Sequence, residues 1–200
     1  MEALLTAFVL IVPVELPDKT FVATLVLATR YRALPVWLGV VSAFGVQCLV
    51  AVAAGGLIAL LPPRPVQIVA AVLFAVGAVI MVRGARNADA VEREQEAEFA
   101  AKVRGPAAGG LRAFGASFLV LFAAEWGDLS QLLTAGLVAR GGHPVGVFLG
   151  AWLGLAVVSG AAVLLGRVLL RRVRLSVVRY IGGAVCAILA VVTLIAAFSA

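Results

Sequence analysis

The chain has 200 residues, of which 64% are hydrophobic and 13% are charged, and its mean hydropathy is +1.14. Ordinary soluble domains are only about 45–50% apolar, so the composition excludes a soluble globular protein and indicates a membrane protein whose first partner is the lipid bilayer. The net charge of +6 fits a basic face apposed to anionic lipid, and we expect no nucleic-acid binding because there is no soluble basic domain to carry it.

Six apolar segments are long enough to cross the hydrocarbon, which takes about 20 residues each. They lie at about 4–28, 35–61, 66–82, 113–138, 145–166 and 177–198. We therefore predict an all-α membrane protein with six transmembrane helices. The start, MEALLTAF, has no basic segment, so we expect the first span to be retained rather than cleaved.

The distribution of Lys and Arg predicts the orientation of these spans. The loops after spans 1, 3 and 5 carry thirteen basic residues, whereas the opposite side holds only Arg64 and Arg140. Basic loops are retained in the cytoplasm. We therefore expect a multi-pass protein of a prokaryotic-type inner or plasma membrane with both termini extracytoplasmic.

The first span contains an acidic stretch, VPVELPDKTF at 12–21. Glu15 and Asp18 are three residues apart, so in a helix they share one face. Pro17 has no N–H and Pro13 lies one turn earlier, so we expect a kink with a carbonyl freed near residue 13. A buried ionisable side chain costs at least about 2.5–3.5 kcal/mol on insertion scales. The free-energy cost of placing these carboxylates in the membrane must therefore be compensated by other interactions.

A polar stretch at 84–112 separates two halves of similar length. It has Gly and Pro near its ends and mixed charge between them, which is typical of a solvated cytoplasmic linker with a short helix at its middle. We predict a first three-helix repeat at 1–83, the linker at 84–112 and a second repeat at 113–200. Cys48 and Cys186 have no CxxC or His spacing and are predicted to be small apolar fillers.

The fourth span repeats the acidic motif of the first. FAAEWGDLSQLLTAGL at 122–137 matches VPVELPDKTFVATLVL at 12–27 with an offset of 110 residues. The matched polar pairs are Glu15 with Glu125, Asp18 with Asp128, Thr20 with Ser130, and Thr24 with Thr134. Each half has three spans, an odd number, so the second half enters the membrane upside down. The sequence thus predicts two inverted three-helix repeats with a site at their interface.

We expect the repeated motifs to converge on one metal site. Its predicted ligands are intramembrane carboxylates and neighbouring neutral oxygens: Glu15, Asp18, Glu125, Asp128, Thr20, Ser130 and Gln131. Such hard donors suit Mn²⁺, Ca²⁺ or Mg²⁺ rather than Cu⁺ or structural Zn²⁺. Four carboxylates hold too much negative charge to stay fully ionised without a metal, which predicts exchange of metal for protons. The metal is then a transported substrate, and we expect no cofactor and no enzymatic activity.

A structural alternative pairs Lys19 with Asp18 or Glu15 and treats span 4 as an unrelated polar patch, but it does not account for the duplication. Gln47 and Ser159 are lone polar residues, which are usually hydrogen-bonded to their own backbone or a neighbour. Gly150 and Gly154 are spaced for close helix packing. The only histidine, His143, is expected to be an ordinary solvated loop residue.

ELPDKT and EWGDLS resemble the twin E-x-G-D-[KR]-[ST] signatures of the Gdt-one type cation exporter family of six-helix membrane proteins. The resemblance covers both halves. It implies export of Mn²⁺ or Ca²⁺ in exchange for protons, with the four carboxylates as the site and Thr20 and Ser130 as helpers. Pro17 replaces the first Gly of the signature, and Leu129 replaces the second basic residue. With no cation at residue 129, the second motif is the expected proton carrier.

Two other functions remain open from the sequence. An exporter of basic amino acids or other small organic cations would share the architecture, because carboxylates also bind ammonium groups, but it would need a cationic or helix N-terminal partner for the substrate carboxylate. An intramembrane aspartyl protease would need one proton-sharing Asp pair, whereas each motif here supplies a Glu as well. The oligomeric state, a homo-oligomer included, is also left open.

Overall fold

The computed structural model describes residues 1–16, 19–86, 94, 97–98, 101, 110–172 and 175–199; at 19, 30, 63, 165–172, 175–179 and 199 the description covers the backbone only. All regular structure in these ranges is helical. The helices whose bounds are described are, in chain order, α1 (Glu2–Glu15), α2 (Lys19–Arg30), α3 (Ala33–Ile58), α4 (Pro63–Ala85), α5 (Gly110–Ala124), α6 (Leu129–Ala139), α7 (Pro144–Arg172) and α8 (Leu175–Ser199).

Within the described part of the chain, four helices are long and apolar enough to cross a membrane. Their apolar portions are Ala33–Ile58, Arg64–Ala85, Pro144–Leu164 and Tyr180–Phe198. Shorter apolar helices are Thr20–Thr29, Gly110–Ala124 and Leu129–Ala139. Large apolar side chains are exposed along α4 and α8, among them Val69, Ile80, Ile188 and Phe198, as a lipid-facing surface requires. The chain is thus an all-α membrane protein, as its composition predicts.

The predicted spans 35–61, 66–82, 145–166 and 177–198 correspond to α3, α4, α7 and α8. The sequence predicts single spans at 4–28 and 113–138, whereas the structure divides each between two helices, α1 with α2 and α5 with α6. Pro17 has no N–H to continue a helix, and Gly127 has a φ of 73°, which an α-helix does not accommodate. Each division falls at an acidic motif.

Helices α3 and α7 contact each other and most of the other helices. Two tryptophans join them. The Trp37 indole N–H donates to the Ala156 carbonyl at 3.0 Å, and the Trp152 indole N–H donates to the Val41 carbonyl at 2.9 Å. Each indole nitrogen also lies against a glycine of the opposite helix, Gly160 for the first and Gly45 for the second. These reciprocal bonds fix the register of α3 against α7.

The helices that precede the two breaks pack on the long helix of the other half, α1 on α7 and α5 on α3. Glycines allow both approaches, because Gly150 lies against the Leu4 carbonyl oxygen and Gly39 against the Phe114 carbonyl oxygen. Any larger side chain would meet a backbone carbonyl there. Among the described residues, α4 and α8 form the most extensive helix pair and contact α6 and α1 more lightly.

The main hydrophobic core lies between α1, α2, α3, α5, α6 and α7. Its largest members include Ile11, Val22, Phe44, Leu121, Leu133 and Leu155. Helix α2 is enclosed by its neighbours, since every residue from 20 to 27 is buried. A helix that is buried on all sides reads as uniformly apolar, and the buried hydroxyls of Thr20 and Thr24 are the exceptions in that stretch.

The two arginines predicted on the extracytoplasmic side both attach to the last turns of α8. Arg64 Nε donates to the Ala197 carbonyl at 3.1 Å, and its guanidinium lies 5.9 Å from the centre of the Phe198 ring. Arg140 donates from Nη1 to Thr193 Oγ1 at 2.9 Å. These bonds tie the start of α4 and the end of α6 to α8.

The predicted linker at 84–112 lies largely outside the described residues. The residues described at its middle, 94, 97–98 and 101, are helical and exposed, as expected for the short solvated helix predicted there. Helix α4 runs to Ala85 and α5 begins at Gly110. The boundaries 1–83, 84–112 and 113–200 stay a prediction.

Candidate functional site

The first break in the helical path begins at Glu15, the last residue of α1. The helix continues through Pro13, and its end is marked by the Leu16 N–H, which donates to the Val12 carbonyl at 3.1 Å. Residue 17, four residues after Pro13, is a proline and offers no N–H to the Pro13 carbonyl. Gly182 of α8 lies beside that carbonyl, since a Cβ at residue 182 would be 3.2 Å from its oxygen.

The second break joins α5 to α6 through residues 125–128. The Glu125 N–H makes the last helical bond, to the Leu121 carbonyl at 3.1 Å, and the chain then turns at Gly127. Asp128 has an extended backbone and is the N-cap residue of α6, so its carboxylate lies at the positive end of that helix. The break thus presents two acidic side chains within four residues.

The two breaks bring three carboxylates together. One oxygen from each of Glu15, Glu125 and Asp128 lies within 4.8 Å of the other two. Glu15 and Glu125 are 0% and 1% exposed, and Asp128 is partly exposed. The cluster joins residues 110 positions apart in sequence, and its spacing is that of oxygen ligands around one cation.

Asp18, the fourth predicted carboxylate, lies outside the described residues, and so does the side chain of Lys19. The structure therefore brings together three of the four predicted carboxylates and does not place the fourth. Cys48 is buried in the main core, where the sequence predicts a small apolar filler.

The predicted neutral donors occupy the first turns after the two breaks. Thr20 and Ser130 are the second residues of α2 and α6, and both are buried. Thr134, one turn after Ser130, donates its hydroxyl to the Ser130 carbonyl at 2.7 Å. The side-chain oxygen of Gln131 accepts the Gly127 N–H at 3.1 Å, so this oxygen is bound to the backbone of the break.

Gln47 supports the backbone beside the site, a role that its position in the sequence does not indicate. It is 3% exposed on α3, and its amide Nε2 donates to the Phe122 carbonyl of α5 at 3.0 Å. The expected bond to a neighbour is confirmed, but the sequence gives no sign that this neighbour is the last full turn before Glu125. Ser159 instead donates to the Ala156 carbonyl of its own helix at 3.1 Å, as expected for a lone polar residue.

A cavity of about 250 Å³ reaches the second motif from the side of α4. Asp128, Gly127 and Leu129 line it, together with Gly77 and other residues of α4. Leu129 packs directly on Gly77, where a Cβ would lie 2.8 Å from the leucine methyl group. Asp128 of the cluster is therefore within reach of a cavity.

A larger cavity, of about 600 Å³, lies between the start of α1, the end of α6 and α8. Its polar residues are Glu2, Thr6, Arg140 and His143, and Leu10, Leu137 and Leu189 also line it. The same three leucines pack against the main core. This cavity, here called the polar vestibule, is thus lined by both polar and apolar side chains.

The comparisons with known proteins cover both halves of the chain. The profile of the family described as Divalent cation/proton antiporter GDT1 matches residues 3–89 and 113–200, which leaves out most of the predicted linker. A GDT1-like protein of Synechocystis sp. is 33% identical over 201 residues, covering 95% of this chain and 97% of that protein. No solved structure matches the chain significantly.

Two eukaryotic proteins are also similar. The chloroplast protein PAM71 of Arabidopsis thaliana is 33% identical over 205 residues, which are 94% of this chain but only 55% of PAM71. A GDT1-like protein of Schizosaccharomyces pombe is 26% identical over 226 residues, covering 92% of this chain and 78% of that protein. The family predicted from the twin motifs is therefore confirmed: the chain belongs to the GDT1 family of divalent cation/proton antiporters, which are membrane transporters and not enzymes.

Proposed function

We propose that this protein exports Mn²⁺, Ca²⁺ or both from the cytoplasm in exchange for protons. The observation that carries the proposal is the convergence of Glu15, Glu125 and Asp128, whose carboxylate oxygens lie within 4.8 Å of one another. Family membership supports the exchange of a divalent cation for protons. The choice of ion rests on the chemistry of the donors.

The donors favour a hard cation. Carboxylate oxygens bind Ca²⁺ and Mn²⁺ well, whereas soft ions such as Cu⁺ prefer thiolates and thioethers. Asp18 completes the set in this proposal, and Thr20 and Ser130 supply hydroxyl oxygens. Three or four carboxylates this close together repel one another unless a cation or protons neutralise them. Departure of the metal and arrival of protons are therefore coupled at the same atoms.

Two inverted three-helix repeats provide the framework in this proposal. The helix contacts support it, because exchanging the two halves turns the α1–α7 contact into the α5–α3 contact. The glycine contacts correspond in the same way, because the contact of Gly150 with Leu4 in one half matches the contact of Gly39 with Phe114 in the other. The alternation of access would then come from movement of one repeat against the other around the carboxylates.

The proposed location is the inner or plasma membrane, with both termini extracytoplasmic, and the distribution of Lys and Arg supports it. In this orientation the vestibule with Glu2 and His143 opens to the outside. Helix α2 then lies on the cytoplasmic side and α6 on the outer side. One relative, PAM71, is named as chloroplastic.

Expression of the chain in a manganese-sensitive bacterial strain tests the function directly. We expect lower cellular manganese and growth at higher external Mn²⁺, and uptake of Mn²⁺ or Ca²⁺ into proteoliposomes that depends on a pH gradient. Glu94→Gln, at an exposed residue of the predicted linker, serves as a control that should behave as wild type. Unchanged metal content together with altered export of basic amino acids would reject the proposal in favour of the organic-cation exporter.

A further inference from the structure

The break between α5 and α6 requires support that the helices themselves do not provide. Where a helix ends inside a membrane, the last carbonyls and the next N–H groups lose their helical partners, and each unsatisfied group is costly in hydrocarbon. Here the break also has to aim Glu125 and Asp128 at Glu15. Whatever satisfies the backbone of this break therefore also positions the carboxylates.

On the α5 side, the support comes from α3. The Phe122 carbonyl would accept the N–H of residue 126 in a continuous helix, but α5 ends at Ala124. Gln47 Nε2 donates to this carbonyl at 3.0 Å. Gln47 is buried, so loss of its amide would leave a carbonyl without this donor in a medium of low dielectric.

On the α6 side, the support comes from Gln131. Gly127 has a φ of 73°, and its N–H donates to Gln131 Oε1 at 3.1 Å. This bond links the turn to the first turn of α6 and fixes the position of Gly127, which precedes Asp128. The oxygen that the sequence offers as a metal ligand is thus engaged by the backbone.

We propose that Gln47 and Gln131, here called the amide pair, are positioning residues that hold the break in the shape that places Glu125 and Asp128 on Glu15, and that they thereby set the affinity for the divalent cation. The inference rests on the proposed function. It assigns the two glutamines no direct contact with the ion.

The counterpart of Gln47 in the second half cannot make the same bond at the first break. Position 47 corresponds to Val158 in the second half, at the offset of 111 residues that also relates Gly39 to Gly150. A valine cannot donate to the backbone of α1, and the corresponding Val12 carbonyl accepts the N–H of Leu16 instead. The amide pair is therefore a property of the second motif.

Mn²⁺ transport into proteoliposomes, measured over a range of Mn²⁺ concentrations, tests the inference. Gln47→Met and Gln131→Met keep side-chain length and remove the amide, and Gln67→Met on α4 is the matched control. Loss of a partner that orients a ligand costs about 10–100-fold in metal affinity, so we expect KM to rise about tenfold in each of the first two variants. The maximal rate should change less than about twofold, and Gln67→Met should match wild type.

A double-mutant cycle separates positioning from direct ligation. Gly127→Ala disturbs the same turn, so in its background Gln131→Met should raise KM by less than about threefold, because coupled residues are not additive. If the increases in KM from Gly127→Ala and Gln131→Met multiply in the double variant, Gln131 is a ligand and its assignment as a positioning residue is overturned. Gln47→Leu and Gln131→Leu repeat the test if a methionine variant does not insert. Failure of every Gln47 variant to insert would make Gln47 a folding residue and overturn its assignment.

The controls distinguish the inference from the function on which it rests. Wild-type KM in both single variants, with saturable Mn²⁺ transport by the parent protein, would reject the amide pair and leave the proposed function standing. No saturable Mn²⁺ or Ca²⁺ transport by the parent protein would reject the function itself.

Discussion

The two half-helices that follow the acidic motifs have similar sequences but different surroundings. From residue 20 to 27, α2 is buried without exception, whereas α6 has partly exposed residues along its length. Residues of α6 line the cavity that reaches Asp128 and the polar vestibule. Packing is thus closed around residues 20–27 of α2 and more open around α6.

This difference shows that a duplicated motif need not perform duplicated work. Glu15 is fully buried, whereas Asp128 is partly exposed and lines a cavity. The breaks are also built differently, with a proline at residue 17 in the first and a positive-φ glycine at residue 127 in the second. We therefore expect the second motif to receive the ion or the proton, and the first to form the fixed wall of the site.

Removing the charge at Asp128 should have the largest effect. Asp128→Asn keeps the size of the side chain and removes the charge that binds the cation. Loss of an outer partner already costs about 10–100-fold in metal affinity, so loss of a carboxylate ligand should exceed that range and abolish measurable transport. Asp18→Asn should do the same. Normal Mn²⁺ transport by both variants, at wild-type levels of inserted protein, would make these carboxylates structural.

A positive charge at residue 129 should have the next largest effect. Leu129 lines the cavity that reaches Asp128 and packs on Gly77. Unit charges 4 Å apart interact by about 4 kcal/mol at an effective dielectric constant of 20, so even a partly solvated ammonium should repel the ion. Leu129→Lys is expected to weaken Mn²⁺ affinity at least about tenfold and to move the pH dependence of transport to the acid side.

Leu129→Met is the matched control, because it fills the same space without a charge. It should keep the wild-type affinity and pH profile. Equal Mn²⁺ affinity and superimposable pH curves for wild type and Leu129→Lys would remove the second motif as the proton carrier.

The sequence predicts the chemistry of the site better than its geometry. Composition and hydropathy are enough for a membrane bundle, and the 110-residue repeat pairs Glu15 with Glu125 because both motifs retain the same acidic residues. The complete breaks after Glu15 and Ala124 are not predicted, since a proline or glycine in a membrane helix is compatible with a kink as well as a break. The bond from Gln47 to Phe122 also could not be predicted from the sequence, because it depends on how α3 packs on α5.

The backbone conformation at Gly127 gives a test specific to the second break. A residue with a Cβ pays about 1–2 kcal/mol in the left-handed region, and apart from its chain neighbours no described residue has a heavy atom within 4 Å of a Cβ at this position. Gly127→Ala should therefore change the turn without a steric clash and weaken Mn²⁺ affinity by about three- to tenfold. Gly141, with a φ of 90° and the same open space, is the control. If Gly141→Ala lowers Mn²⁺ affinity equally, the effect comes from general destabilisation.

The smallest expected effect concerns the scaffold, in which the two halves should behave alike. Gly39 and Gly150 each lie against a backbone carbonyl of the opposite half, that of Phe114 and that of Leu4. Forcing a methyl group into such a contact costs about 1–3 kcal/mol, so Gly39→Ala and Gly150→Ala should destabilise the purified protein by similar amounts. Gly56→Ala, which has no neighbouring atom within 4 Å of its Cβ, should not. Thermal unfolding in detergent measures all three. Equal losses would mean that the halves share one packing plan and differ only around the site, whereas a loss confined to one glycine would extend the asymmetry of the motifs to the whole bundle.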